Sequence, residues 1–194
     1  MARKAVAVRR EELVLAALDQ VRARGIAGVR AADVAKALDV STALIFYHFG
    51  TLEALIIEAF RQAAERDLAT LRGELDRGGP VGTRLRAVLA MYGPTQAAEG
   101  WKLWIEAGAA AMRDGRLRAV LQRLDLRWRD AVIGLITEGV GGGEFCCPDP
   151  RGAAWRLTAL LDGLAVQVFA REDTVTAEDC VRWVEQAVAH ELAG

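Results

Sequence analysis

The sequence predicts an all-α protein of about nine helices, and three observations carry that expectation. Ala, Leu, Glu and Arg dominate its 194 residues, and the alternating Val, Ile, Thr and Tyr runs of a strand are absent. Only 4 residues are Pro, so long helices can run uninterrupted. The chain is 53% hydrophobic, enough to bury a sizeable core and to exclude a disordered polymer.

The elements follow in order. Arg3 to Arg10 reads as a basic arm. Leu13, Ala16, Ala17 and Val21 then recur at helical spacing until Gly25 stops the helix. A short helix spans Ala31 to Leu38, and Asp39 interrupts it, since Asp tolerates the left-handed geometry of a tight turn. Ser41 is placed as the N-cap of a third short helix running through His48 to Gly50. Thr51 caps the fourth, which runs from about Leu52 to Leu75 and closes at Gly78-Gly79-Pro80. Later helices are expected at about 81–92, 97–112, 116–138, 151–170 and 177–192, with a Gly- and Pro-rich loop over 139–150 and a capping-box-like start at Thr176 and Asp179.

Three short helices, the second and third joined by a tight turn, make a helix-turn-helix unit. Val34, Leu38, Val40, Ile45 and Phe49 can form its core. The third helix then turns Thr42, Ala43, Leu44, Tyr47 and His48 outward. Thr42 suits a base edge or a phosphate, Ala43 and Leu44 suit thymine methyls, and Tyr47 and His48 suit phosphate oxygens. His48 taken singly reads better as a partly buried core histidine. Charge is distributed to match: residues 1–50 carry +3 and the remainder −4, a mildly basic head on an acidic body.

The run VSTALIFYHF followed by GTLEAL, with AADVAKALDVS upstream, resembles the recognition helix and its flanks in the TetR family over about residues 9–60. The resemblance implies DNA contacts from Arg30, Lys36, Ser41, Thr42, Ala43, Leu44, Phe46, Tyr47, His48 and Thr51. The chain departs from the family pattern at Phe46, where Tyr is common, at Leu52, where Lys is common, and at Asp39, where Gly is common. Two phosphate contacts are thereby lost and one acidic group is gained. Arg30 stands where the family usually has a capping Thr or Ser, and reads equally as a solvated side chain. The basic arm, Arg30 and Lys36 can compensate by displacing counterions from phosphates.

The body holds all five tryptophans. Trp101 and Trp104 share one side of a helix with Ile105 and Gly108. With Trp128, Met91, Tyr92 and Met112 they can line a cavity for a small apolar or cationic ligand, or pack as ordinary core. Glu106 and Asp162 sit among apolar residues and can face a ligand or complete a hydrogen-bond network. Met91, Trp101, Trp104, Trp128 and Asp162 are the expected ligand contacts. The 151–170 helix is apolar nearly all round, which predicts burial on both sides. Its Ala159, Gly163 and Gln167 form a line of small or neutral residues. With the last helix it can build a four-helix homodimer interface, or only an intrachain core. WKLWIEAGAAAMRDGRLR, Gly143-Glu144-Phe145, Asp149-Pro150 and ALLDGLAVQV resemble the C-terminal domain of BetI-like members of the same family, which implies dimerisation and effector binding.

Together these readings give residues 1–50 as the helix-turn-helix DNA-binding domain. A long helix joins it to an effector-binding and dimerisation domain over 51–194. The expected protein is a homodimeric repressor on a palindromic double-stranded operator, released by a small-molecule effector. The alternative is a helical ligand-binding or protein-interaction module with weakened DNA binding. An enzyme is disfavoured, because only two His are present and no nucleophile-base pair, metal spacing or phosphate loop appears. No cofactor and no metal are expected. Cys146, Cys147 and Cys180 read as reduced thiols, the first two in a loop and the last in the core. No stretch approaches about 20 uninterrupted apolar residues, so no membrane partner and a cytoplasmic location are expected.

Overall fold

The computed structural model describes residues 2–94, 98–171 and 174–193, with side chains given for all of these except 2–8 and 98–99. Its helices are α1 (Ala2–Arg24), α2 (Ala31–Ala37), α3 (Thr42–Phe49), α4 (Leu52–Leu75), α5 (Val81–Tyr92), α6 (Ala98–Ala111), α7 (Gly115–Gly141), α8 (Pro150–Ala170) and α9 (Ala177–Leu192). A 3-10 turn at Ile26–Gly28, unmarked in the sequence reading, lies between α1 and α2. No named strand occurs among the described residues; the one β-bridge pairs Cys146 with Ala193. The segment read as a basic arm is helical from Ala2, so it continues α1. The side chains of Arg3 and Lys4 lie outside the described residues.

The chain forms two compact units, one of Met1–Arg66 with Leu103–Gln122 and one of Asp67–Lys102 with Arg123–Gly194. In the first, α1 contributes Leu13, Val14, Ala17 and Val21 to a core that also holds Val34, Ile45, Leu55 and Phe60. Leu38, Val40 and Phe49, expected in that core, are only half-buried, because the short α2 and α3 cover one side each. Gly25 ends α1 at φ 75, a left-handed geometry that costs Gly nothing. The Arg118 guanidinium donates to the carbonyls of Ala111 and Met112, satisfying orphan acceptors at the end of α6.

In the second unit, Leu85, Leu89, Trp128, Val132, Ile136, Leu157 and Leu161 are buried. The Glu144 carboxylate accepts from the backbone N–H groups of Val81 (2.8 Å) and Gly82 (2.7 Å), capping the start of α5 from the loop after α7. Asp149 accepts from the Gly152 N–H, with Pro150 as the first helical residue of α8. The capping box at Thr176 and Asp179 is complete. Helix α7 runs through Gly141, three residues into the expected loop, because Phe145 folds back against Gly139 and covers its last turn. Cys146 is exposed, Cys147 is buried despite its loop position, and Cys180 is buried; all three are free thiols.

Helix α8 buries one of its two apolar sides within this chain. One face is buried through Ala153, Ala154, Leu157, Thr158, Leu161, Leu164 and Ala165. The opposite face, including Trp155, Ala159, Gly163 and Val166, is exposed rather than covered. By length and a mean hydropathy of 1.2, α8 is long and apolar enough to cross a membrane, although it also packs as a core helix of its unit. Gly139→Ala should destabilise the chain by about 1–3 kcal/mol, because an added Cβ would fall inside the Phe145 ring. A urea melt showing no loss would contradict this packing.

Candidate nucleic-acid interface and the polar cluster of the second unit

The turn between α2 and α3 is built by Asp39, whose φ is 52, the left-handed geometry expected of it. The Val40 N–H donates to the Ala35 carbonyl (3.0 Å) and the Asp39 N–H to the Lys36 carbonyl (3.3 Å), closing the turn. Ile45 is wholly buried and so fixes the inward side of α3. Leu44, His48 and Phe49 are half-buried, whereas Thr42, Ala43, Phe46 and Tyr47 are exposed. Tyr47 is 78% exposed, and Phe46 is 46% exposed. The outward face therefore includes Phe46, and Leu44 and His48 sit at its margin.

Ser41 occupies the N-cap of α3, but its hydroxyl makes no capping bond, so it stays exposed at the mouth of the helix. Arg30 holds the N-cap of α2, likewise without a capping bond, and is exposed, as is Lys36 in its last turn. The Thr51 hydroxyl accepts from the Ala54 N–H (3.1 Å), so it caps α4 as predicted. Leu52, where relatives often carry Lys, is half-buried and brings no charge.

Two interactions hold this surface from behind. Arg10 of α1 lies 4.7 Å above the Phe49 ring and donates to Glu58 of α4 (3.1 Å). Arg61 donates twice to the same carboxylate. These bonds, Arg61's first, hold the Glu58 carboxyl below its ordinary value against partial burial. The second interaction comes from α6. A Glu106 carboxylate oxygen accepts from the Ile26 N–H at 2.6 Å, across 80 residues. That carboxylate lies so close to Gly25 that a Cβ there would sit 2.9 Å from it. Of the two roles considered for Glu106, it fills the hydrogen-bonding one, fixing the turn that leads into α2.

The second unit carries a polar cluster. Arg129 is 5% exposed and donates to Asp125 (2.6 and 3.2 Å) and to the Thr158 hydroxyl (3.0 Å). Its guanidinium stacks 3.6 Å from the Trp155 ring, with Asp162 4.0 Å away. The Tyr92 hydroxyl donates to Asp162 (2.9 Å) and lies 3.4 Å from Asp125. The Tyr92 ring meets Trp101 and Trp128 edge-on at 5.8 and 5.5 Å. Burial pushes the Tyr92 phenol up, and the charges of Asp162 and Asp125 add to the effect. Burial likewise lifts the Asp162 carboxyl; Asp125 adds to this, while the Tyr92 hydrogen bond and Arg129 oppose it.

Of the five expected ligand contacts, Trp101, Trp128 and Asp162 all gather around Tyr92. Met91 is half-buried beside Tyr92 in sequence. Trp104 packs edge-on to Phe60 at 5.1 Å, in the other unit. Met112, also considered, is exposed. Asp125, Arg129 and Thr158 went unnoticed in the sequence. Their signal was the i,i+4 spacing of Asp125 with Arg129 and of Thr158 with Asp162, which puts each pair on one helix face. A separate hollow lies among α5, α8 and α9, lined by Leu89, Gly93, Leu161, Cys180 and Val184 among others. Among the described residues, no group of three or more His, Cys, Asp or Glu could hold a metal.

The family model described as "Bacterial regulatory proteins, tetR family" matches residues 13–59. The model described as "BetI-type transcriptional repressor, C-terminal" matches residues 81–193, more than half of the chain. The chain belongs to the TetR family, with a BetI-type C-terminal region. As a member it is a DNA-binding transcriptional regulator. The HTH-type transcriptional regulator BetI of Burkholderia mallei is 32% identical over 165 residues, covering 81% of this chain and 80% of that protein. A TetR-family regulator structure from Rhodococcus sp. superposes with a TM-score of 0.79 at 27% identity, covering 94% of this chain and 98% of that one. A regulator from Saccharomonospora viridis, solved in complex with choline, shares the fold with a TM-score of 0.88 at 23% identity, covering 97% and 99% of the two chains.

Glu106→Ala should cost about 1–2 kcal/mol by leaving the Ile26 N–H without its charged acceptor, while Glu106→Gln should cost less. Amide exchange at Ile26 would report it, and unchanged protection in the Ala variant would refute it. For Asp162, a folded-state pKa raised above the unfolded value of about 3.9 means that its contribution is present below that pH. It is lost as the pH rises through the folded value. Asp162→Asn should therefore melt higher than the parent at pH 7, and the advantage should vanish below about pH 4. A variant that melts lower at pH 7 would contradict the assignment.

Proposed function

We propose that the regulator is a homodimer that binds a palindromic operator through α3 and releases it when a small cation occupies the second unit. The observation that carries the DNA contact is the outward face of α3, where Thr42, Ala43, Phe46 and Tyr47 are exposed while Ile45 is fully buried. Ser41, Leu44, His48, Thr51, Arg30 and Lys36 flank that face and complete the DNA-reading surface, within a DNA-binding role assigned to residues 1–50. Effector binding and dimerisation are assigned to residues 51–194. The protein works in the cytoplasm, where its DNA is, and it regulates rather than catalyses.

Dimerisation is assigned to α8 and α9. The exposed α8 line of Trp155, Ala159, Gly163 and Val166 supports it, as do the exposed Val181 and Trp183 of α9. A Cβ added to Gly163 would meet nothing within 4 Å, which leaves room for a second helix to approach. Two related heads then reach half-sites about one DNA turn apart.

The effector is assigned to the Tyr92 cluster. Three aromatic rings beside two carboxylates and one guanidinium leave one negative charge in excess, the chemistry that attracts a quaternary ammonium. The choline held by the Saccharomonospora viridis relative supports a ligand of this class. Met91, Trp101, Trp128 and Asp162 are the contacts proposed here. Trp104 would act from a distance.

Binding to the DNA upstream of its own gene should fall steeply with salt, and footprinting should show a two-fold symmetric protected site. A protected site without symmetry would sink the dimeric reading. Choline should quench tryptophan fluorescence and release the DNA, whereas its neutral isostere 3,3-dimethylbutanol should do neither. Equal responses to both compounds would sink the cationic assignment.

A further inference from the structure

The composition of α3 says how the operator is read. Its eight residues, TALIFYHF, contain no Arg, Lys, Asn, Gln, Asp or Glu. Those are the side chains that make paired hydrogen bonds or single strong ones to purine and cytosine edges in the major groove. What α3 exposes is a methyl group on Ala43, a half-exposed phenyl ring on Phe46, and the hydroxyls of Thr42 and Tyr47. Ala43 and Phe46 are three residues apart, so they stand on one side of the helix, with Tyr47 beside them. The Arg and Lys groups lie on α2 instead, Arg30 at its N-cap and Lys36 in its last turn, while the His48 of α3 is half-buried at the end of that helix.

An apolar reading surface has one natural counterpart in the major groove. Thymine alone presents a methyl group there. Covering an exposed phenyl ring with such methyls removes apolar area from water, whereas setting it against the polar edge of a G·C pair strips hydrogen-bonding groups of water without replacement.

We propose that α3 reads each half-site through thymine 5-methyl groups, with Ala43 and Phe46 as the specificity-determining contacts. Thr42 and Tyr47 serve single hydrogen bonds or phosphate oxygens. Arg30 and Lys36 supply affinity without setting the α3 sequence preference. Phe46 is then a reader of bases, and the hydroxyl that relatives carry at this position is dispensable for it. This inference rests on the assignment of α3 to DNA.

The test starts from a randomised duplex library bound by the full-length protein. Selected sites should carry thymine at fixed positions in each half-site. Those thymines are then replaced by deoxyuridine, which removes only the methyl. Each lost methyl contact should weaken binding about fourfold, so loss from both half-sites should cost on the order of tenfold. Phe46→Ala should bind more weakly and lose most of its sensitivity to deoxyuridine. Phe46→Tyr should keep that sensitivity. Because Phe46 is solvent-exposed, the Ala variant should melt within a few degrees of the parent, so a folding defect is recognisable. Undiminished binding to the deoxyuridine site overturns the proposal. So does a sensitivity that survives in both Phe46→Ala and Ala43→Gly. Failure to select any DNA would overturn the assignment of α3 to DNA itself, a result distinct from tight binding that ignores the methyl.

Discussion

Asp39, at φ 52, sets the rotation at which α3 leaves α2, and the identity of the outward face follows from that rotation. With the Val40 N–H bound to the Ala35 carbonyl, the helix begins in one register, and Ile45 then has only the interior to enter. Left-handed geometry costs an ordinary L-residue about 1–2 kcal/mol, less for Asp, whose short side chain can bond locally. Relatives commonly place Gly here and avoid the cost. This chain accepts a small strain and keeps the same turn. Everything proposed for DNA reading, from the exposure of Tyr47 to the apolar patch at Ala43 and Phe46, is a consequence of that fixed register.

The head is braced from two sides that have little in common chemically. Arg10, Glu58 and Arg61 form a shared-carboxylate network in which one anion serves two cations, partly open to water, with the Phe49 ring under Arg10. Such exposed pairs contribute little individually and gain mainly by acting together. Glu106, in contrast, spends its carboxylate on a backbone N–H, a charge-assisted bond that is short and directional. The first brace adjusts easily to ionic strength, and the second depends on geometry alone.

Helix boundaries were largely legible because their signals are local. Gly78-Gly79-Pro80, Asp149-Pro150 and the Thr176–Asp179 box each satisfy or terminate a backbone within four residues of themselves, and the structure uses all three. The outward placement of Thr42, Ala43 and Tyr47 was legible for the same reason: periodicity says which side of a helix is apolar. It does not say what covers that side. Hence the partner of Glu106, 80 residues away, and the Thr158 hydroxyl that Arg129 reaches on α8 could not be read from spacing. Burial of Cys147 within a Gly-rich loop was hidden likewise, since loop composition suggests exposure. Helix α8 shows the limit most clearly: its all-round apolar character is real, yet one chain covers only one of its faces.

Gly25 and Gly50 share a positive φ, 75 and 76, but differ in ψ, 160 against −47, and in what surrounds them. At position 50 nothing lies within 4 Å of an added Cβ, so the only obstacle is the backbone conformation itself. At position 25 a positive φ with extended ψ is combined with the carboxylate of Glu106, which a side chain of any shape would have to displace. In a saturation scan, position 50 should therefore accept a narrow set of residues, and position 25 should accept glycine alone unless position 106 changes with it. Two sites alike in φ alone would then show different patterns of covariation: one independent, the other tied to a residue on a helix far along the chain.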